Sequence, residues 1–181
     1  MGVSPASMLA KSVALALEKH PVINSAYSDE DGIVVNEDIN ISMAVIAIDG
    51  GLVMPTLSRV NKRNIIALSN DWKQLARKSK SGGDALQCDN NSGTFTVCNL
   101  SLLGNKKSES LLSLGQGGVL IVGSTRSEKV QTKKLITKTR RIVTMTGTFD
   151  ARIVSTRDAT NFLKSLKQII QDEMDIVGAT K

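Results

Sequence analysis

The chain has 181 residues, of which 41% are apolar and only 3% aromatic, and it carries a net charge of +6. That length holds one domain with ample core, and no apolar run approaches the ~18–20 residues that a bilayer span needs. Two cysteines, Cys88 and Cys98, and a single histidine, His20, make neither a disulfide framework nor a zinc site. No metal is therefore expected, and the cysteine usage fits a reducing compartment.

The first twenty residues do not read as a signal peptide, because Lys11, Glu18 and Lys19 interrupt the apolar positions and no cleavage site follows. Ala6 stands where a myristoylation signal needs Ser or Thr. Ser4-Pro5 is instead a helix cap with a first-turn proline. The helix that follows places Leu9, Val13, Ala16 and Leu17 on one face and stops at Pro21. "INSAY" and "IVVNE" are short strands joined by the turn "SDEDG". "INISMAVIAI", residues 39–48, is a strand apolar enough to be buried on both faces. Gly50-Gly51 turns the chain, and "LVMPTLS" runs back with Pro55 marking an edge or bulge.

A second helix covers "NIIALSNDWKQLARKSK", with Ile65, Leu68, Trp72, Leu75 and Ala76 at helical spacing, and Gly82-Gly83 ends it. "GTFTVCNL" is a strand, "SLLGNKKSESLLSLGQGG" a long loop, and "VLIVGS" a buried strand. The next segment and "RRIVTMTGTF" form a long hairpin. A final helix, from about Thr156 to Met174, aligns Phe162, Leu163, Leu166, Ile169 and Ile170. Helices and strands mix without regular βαβ alternation, which predicts a two-layer α+β sandwich.

The charge is concentrated. Residues 126–141 carry seven bases and one acid, and so account for the whole excess of +6. Lys133, Lys134, Lys138, Arg140 and Arg141 are the heart of this stripe. It can attract nucleic acid or an acidic protein, or it can be a solvated strand pair whose bases blunt an edge. No aromatic residue lies inside it, so RNA bound here would be held through its phosphates.

The order of the pieces "ALALEKHPVINSAY", "INISMAVIAIDGGLVMPTL", "NNSGTFTVCNL" and "FDARIVSTRDATNFL" resembles the catalytic core domain of the dihydrolipoamide acyltransferases, the core subunits of 2-oxoacid dehydrogenase complexes. "GGLVMPTL", "NSGTFTVCNL" and "GQGGVLIVGS" resemble the plastid pyruvate dehydrogenase branch. The resemblance implies the chloramphenicol acetyltransferase fold, trimers that assemble into hollow cages, and acyl transfer from a lipoyl arm to coenzyme A. It also implies that a His between the Asp and Arg of the last motif takes the thiol proton, and that a Ser on "GTFTVCNL" stabilises the oxyanion. Here those positions are Ala151 and Cys98, while Ser155 stands where the family has Asp or Tyr.

A missing general base costs ~10²–10⁴ in rate and a missing oxyanion donor ~10²–10³. The expectation is therefore a subunit that is not an enzyme and uses no cofactor, in which Asp150 and Arg152 persist as structural turn residues. It is expected to act as a scaffold of a larger plastid assembly, through trimer-like association or docking on another subunit. The alternatives are an RNA-binding module using the 126–141 stripe, and a residual dihydrolipoamide acetyltransferase using coenzyme A. Residues 1–181 are expected to be one core domain lacking the family's N-terminal arm, lipoyl and peripheral-subunit-binding domains. Cys98 has no neighbouring base in the sequence pattern and is expected to be structural, as is His20. Cys88 is expected to be a free thiol near the surface.

Overall fold

A computed structural model describes residues 2–48, 50–80, 93–100, 110–131 and 137–178. Helix α1 (Pro5–Lys19) starts as its cap residues dictate: the Ser4 hydroxyl accepts from the Ser7 amide, and proline fills the first turn. It ends before Pro21, and a 3₁₀ turn over Pro21–Asn24 leads into a hairpin of β1 (Ser25–Ser28) and β2 (Gly32–Val35). Strand β3 (Ile41–Ile46) is shorter than the apolar run that announces it. The return segment is split around Met54-Pro55 into β4 (Leu52–Val53) and β5 (Thr56–Leu57), both paired with β3. Proline has no amide to donate to a ladder, but the Pro55 carbonyl still accepts from the Met43 amide at 3.0 Å.

Helix α2 (Ile65–Lys80) buries Leu68 and half-buries Ile65, Trp72, Leu75 and Ala76, as their spacing predicts. The expected Gly82-Gly83 stop and Cys88 lie outside the described residues. The sheet continues with β6 (Phe95–Asn99), β7 (Gly118–Val122) and β10 (Met145–Phe149). Its order is β10-β7-β6-β3-β4, with β5 also beside β3. The β3–β6 and β6–β7 pairs are parallel, and the others are antiparallel.

The two-residue period divides this sheet cleanly. Ile41, Met43, Phe95, Val97 and Leu120 share the face that joins the helical core, together with Val13, Leu17, Phe162 and Leu166. The opposite face is built from small and polar residues: Ser42, Ala44, Thr96, Cys98 and Thr148 beside Val119 and Ile121. Its polar atoms pair internally, with the Ser42 and Thr56 hydroxyls at 2.8 Å and the Thr96 hydroxyl donating to Gln116 Oε1 at 2.6 Å. Burial on both faces thus has two causes, a helix layer on one side and a loop on the other. Helix α3 (Thr156–Gly178) packs on α1 and closes the core through three aromatic contacts of Phe162, with His20, Phe95 and Phe149.

The long last hairpin is present but bent. Val122 pairs with Met145, and Arg126 with Ile142, so residues 123–125 on one strand face only 143–144 on the other. An extra residue on one strand of an antiparallel pair kinks it and increases its twist. Beyond this bulge, among the described residues, β8 (Arg126–Gln131) and β9 (Thr137–Ile142) pair only with each other, as an arm separate from the main sheet. The described part of the basic stripe lies on this arm. Among the described residues no helix is long and apolar enough to cross a membrane.

Candidate functional site

The segment that follows β10 is a tight, hydrogen-bonded turn. The Asp150 amide donates to the Gly117 carbonyl at 3.0 Å, and the Asp150 carbonyl accepts from the amides of Ile153 and Val154. The Asp150 carboxylate accepts from the Arg152 amide and Nε through Oδ1, and from Nη2 through Oδ2 at 2.6 Å. These hydrogen bonds from Arg152 hold the Asp150 carboxyl below the usual carboxylate range and push the Arg152 guanidinium up in turn. The guanidinium also lies over the Tyr27 ring, 4.2 Å from its centroid. Ala151 is exposed between these two charged residues, with only a methyl group to offer.

The turn is anchored by two glycines. A Cβ at Gly117 would come within 2.7 Å of the Ile23 and Ser25 carbonyl oxygens, and one at Gly118 would meet Phe95 and Phe149 at 2.8 Å. Only glycine lets β7 pass that close. Gln116, just before them, is buried: its Nε2 donates to the Gly93 carbonyl while Oε1 takes the Thr96 hydroxyl. This bracket fixes the 110–117 loop against β6. The loop, Tyr27 and the Asp150–Arg152 turn then enclose an open cleft of about 200 Å³, lined by Leu112, Leu114, Gln116 and their neighbours.

Ser155 has a local reason of its own. It caps α3, accepting from the Asp158 amide while its hydroxyl donates to Asp158 Oδ2 at 2.6 Å. This is an N-cap by serine, readable in the sequence at residue 155 but taken there only as a departure from a motif. Gln116 and Tyr27 were not singled out by sequence. A lone Gln set among glycines in "GQGG" was the available signal for the first, and none marks the second.

Cys98 stands on the sheet face away from the helices, half-buried and free. Burial pushes its thiol up, and a hydrogen bond with Ser110 pulls it partly back, so it is a thiol and not a thiolate at neutral pH. It does not meet Ala151 within one chain. Cys98 aligns with Ile121 and so with Thr146, whereas Ala151 lies past Phe149, at the other end of β10. Three strand steps at about 3.3 Å each already separate the two by roughly 10 Å. His20 is satisfied elsewhere, with Nε2 2.8 Å from the Ser165 hydroxyl.

Of the stripe residues, Lys133 and Lys134 lie outside the described residues, and Lys138, Arg140 and Arg141 fall on β9, remote from the cleft. Among the described residues no three His, Cys, Asp or Glu side chains come together as metal ligands.

The model of the 2-oxoacid dehydrogenases acyltransferase catalytic domain matches residues 2–177. The chain is 38% identical over 175 residues to dihydrolipoyllysine-residue acetyltransferase component 5 of the pyruvate dehydrogenase complex, chloroplastic, from Arabidopsis thaliana. The match covers 97% of this chain and 37% of that relative, so the chain spans little more than a third of the relative's length. Among solved structures, a probable dihydrolipoamide acetyltransferase from Listeria monocytogenes superposes with a TM-score of 0.84 at 27% identity, over 94% of this chain and 71% of that one. A chloramphenicol acetyltransferase superposes with a TM-score of 0.57 at 10% identity, over 92% of this chain and 77% of that one. The second likeness is one of fold.

These relatives correct one expectation. Ala151, Cys98 and Ser155 were read as marking a chain that is not an enzyme, yet the matched relatives are named as acetyltransferases. The inference was too strong for a physical reason. Enzymes lower barriers by many separate contributions, and one absent base removes ~10²–10⁴ from a total of 10⁶ or more. Ser155, moreover, is explained by its cap and carries no information about turnover.

Proposed function

The chain belongs to the 2-oxoacid dehydrogenase acyltransferase family, and on that premise we propose that it is an acyl-transfer core domain of a plastid pyruvate dehydrogenase-type complex, working as a structural component of the assembled core. The observation that carries this reading is the fold of the described residues from α1 to α3, with the Asp150–Arg152 turn closed on the end of β7. The chloroplastic relative's name supplies the compartment and the complex.

In this reading the thiolate of coenzyme A attacks a lipoyl thioester carbonyl, the bond from the acyl carbon to the lipoyl sulfur breaks, and the departing lipoyl thiolate takes a proton from solvent. The Cys98 thiol is a weak donor toward the developing oxyanion. Residue 151 takes no proton, so the coenzyme A thiol loses its proton to solvent before attack and transfer is slow. Because Cys98 and Ala151 sit at opposite ends of one sheet, a cleft that uses both positions forms between two copies. Association is then part of the chemistry as well as of the architecture.

Sedimentation velocity on the purified chain tests the assembly. The expected result is a species that is a multiple of the 19.4 kDa chain. A folded particle of single-chain mass at every concentration would overturn the structural role.

A further inference from the structure

Tyr27 is the only tyrosine of the chain, and the fold places it with care. The two-residue period of β1 puts Ser25 and Tyr27 on one face. Ser25 is buried where Gly117 passes against its carbonyl, and Tyr27, one step further along, lies over Arg152 and forms part of the cleft wall. The hairpin is tied at its base. Asn24 Nδ2 donates to the Asn36 and Asp38 carbonyls, and Asn36 Nδ2 donates back to the Asn24 carbonyl at 2.9 Å. So held, the ring is still 36% exposed.

The charged and amide side chains of the cleft are committed. Gln116 uses both ends of its amide on Gly93 and Thr96, and Asp150 and Arg152 hold each other. Two hydroxyls of the lining remain, those of Ser113 and Tyr27, and neither has a hydrogen-bond partner among the described residues. Their chemistry differs. Phenols and alkyl thiols ionise, by their ordinary values, only about 1.5 pH units apart, so a proton passes readily from one class to the other. An aliphatic hydroxyl does not ionise in that range. The surroundings also favour the phenol. The Arg152 guanidinium lies 4.2 Å from the ring centroid and stabilises negative charge developing there. Of the acids that bear on this guanidinium, Asp150 is already paired with it, and Asp29 sits at the hairpin tip.

We infer that the Tyr27 hydroxyl is a further catalytic group, the donor of a proton to the sulfur that departs. The inference rests on the acyl-transfer reading given above, and it names the route by which the solvent proton arrives. The coenzyme A thiolate adds to the thioester carbonyl carbon. As the intermediate collapses, the electron pair of the carbon–sulfur bond goes to the lipoyl sulfur, and that sulfur takes the Tyr27 proton. Water then reprotonates the phenolate. No oxidant or reductant is consumed, and residue 151 has no part in the transfer.

The test removes the hydroxyl alone. Tyr27→Phe keeps a ring over Arg152, so circular dichroism and thermal unfolding should match the unmodified chain. Acetyl transfer to coenzyme A is measured with two donors: acetyl-dihydrolipoamide, and an acetyl aryl thioester whose weakly basic leaving thiolate needs no proton. With the first donor, kcat is expected to fall about tenfold, less than the ~10²–10⁴ of a fully placed acid because water can enter an open cleft. KM should stay within about twofold, since the loss is confined to the transition state. With the aryl thioester the loss in kcat should shrink to about twofold or less.

An equal loss with both donors overturns proton donation, because a misshapen cleft slows both. So does a rise in KM with kcat unchanged, or a loss that follows Ser113→Ala in place of Tyr27→Phe. A Tyr27→Phe chain that turns over as fast as the unmodified one overturns the assignment and leaves the acyl-transfer reading standing. An unmodified chain with no rate above the uncatalysed reaction overturns both.

Discussion

Strand β7 and the arm that continues from it are one stretch of chain with opposite surroundings. Gly118–Val122 is buried at every residue, whereas Arg126–Lys129 is exposed at every residue, with only the bulge at 123–125 between them. The buried half is explained from inside the molecule: parallel pairing to β6, helices over one face, the Gln116 bracket over the other. The exposed half is a two-stranded arm whose Arg126, Lys129 and Arg141 are open to water, and bases on an uncovered edge blunt it against pairing with other strands. The same contrast corrects a tempting argument about assembly. The apolar residues of "FTVCN" and "FDARIV" look retained for contact with a neighbour. Yet Phe95, Val97, Ile153 and Val154 are buried in this chain's own core, and Phe149 packs on Phe162. Their persistence reports folding.

If the core explanation is right, the largest effect on stability comes from its aromatic centre. Phe162→Ala removes a fully buried ring that touches Phe95, Phe149 and His20. It should destabilise the chain by about 3–5 kcal/mol, measured by chemical denaturation. A loss under 1 kcal/mol would mean that α3 is not packed as described. Ser155→Ala sits between the two regimes. It should cost about 1 kcal/mol through the lost cap, and a neutral result would return Ser155 to the list of residues kept for chemistry. The arm reversals Lys129→Glu and Arg141→Glu belong at the bottom, within about 0.5 kcal/mol of the unmodified chain. A large loss there would erase the contrast by showing that the arm is part of the folded unit.

Much of the fold was legible because its determinants are local. Ser4-Pro5 sets the start of α1, Pro55 splits the edge strand, and the spacing of Phe162, Leu166 and Ile170 sets the buried side of α3. The bulge was not legible: it depends on a mismatch of three residues against two, and no residue type marks it. In the site, Asp150 and Arg152 are read as a structural turn from the motif alone, and the Asp150 carboxylate accepts from the Arg152 amide and guanidinium. Gln116 and Tyr27 could not be placed, because each acts across a distance in sequence that only pairing of β6, β7 and β1 closes. Ser155 was visible but misjudged, since a capping pattern and a degraded motif can occupy the same residues.

Central to this account is the proposal that the chain retains acyl-transfer capability despite a methyl group at position 151. Acetyl-coenzyme A formation from acetyl-dihydrolipoamide by the purified chain measures it directly, with the uncatalysed reaction and a relative bearing His at that position run alongside. The account predicts a rate above the uncatalysed one and at least about a hundredfold below the relative's, the lower bound for an absent general base. A rate indistinguishable from the uncatalysed reaction, or one equal to the relative's, would contradict it.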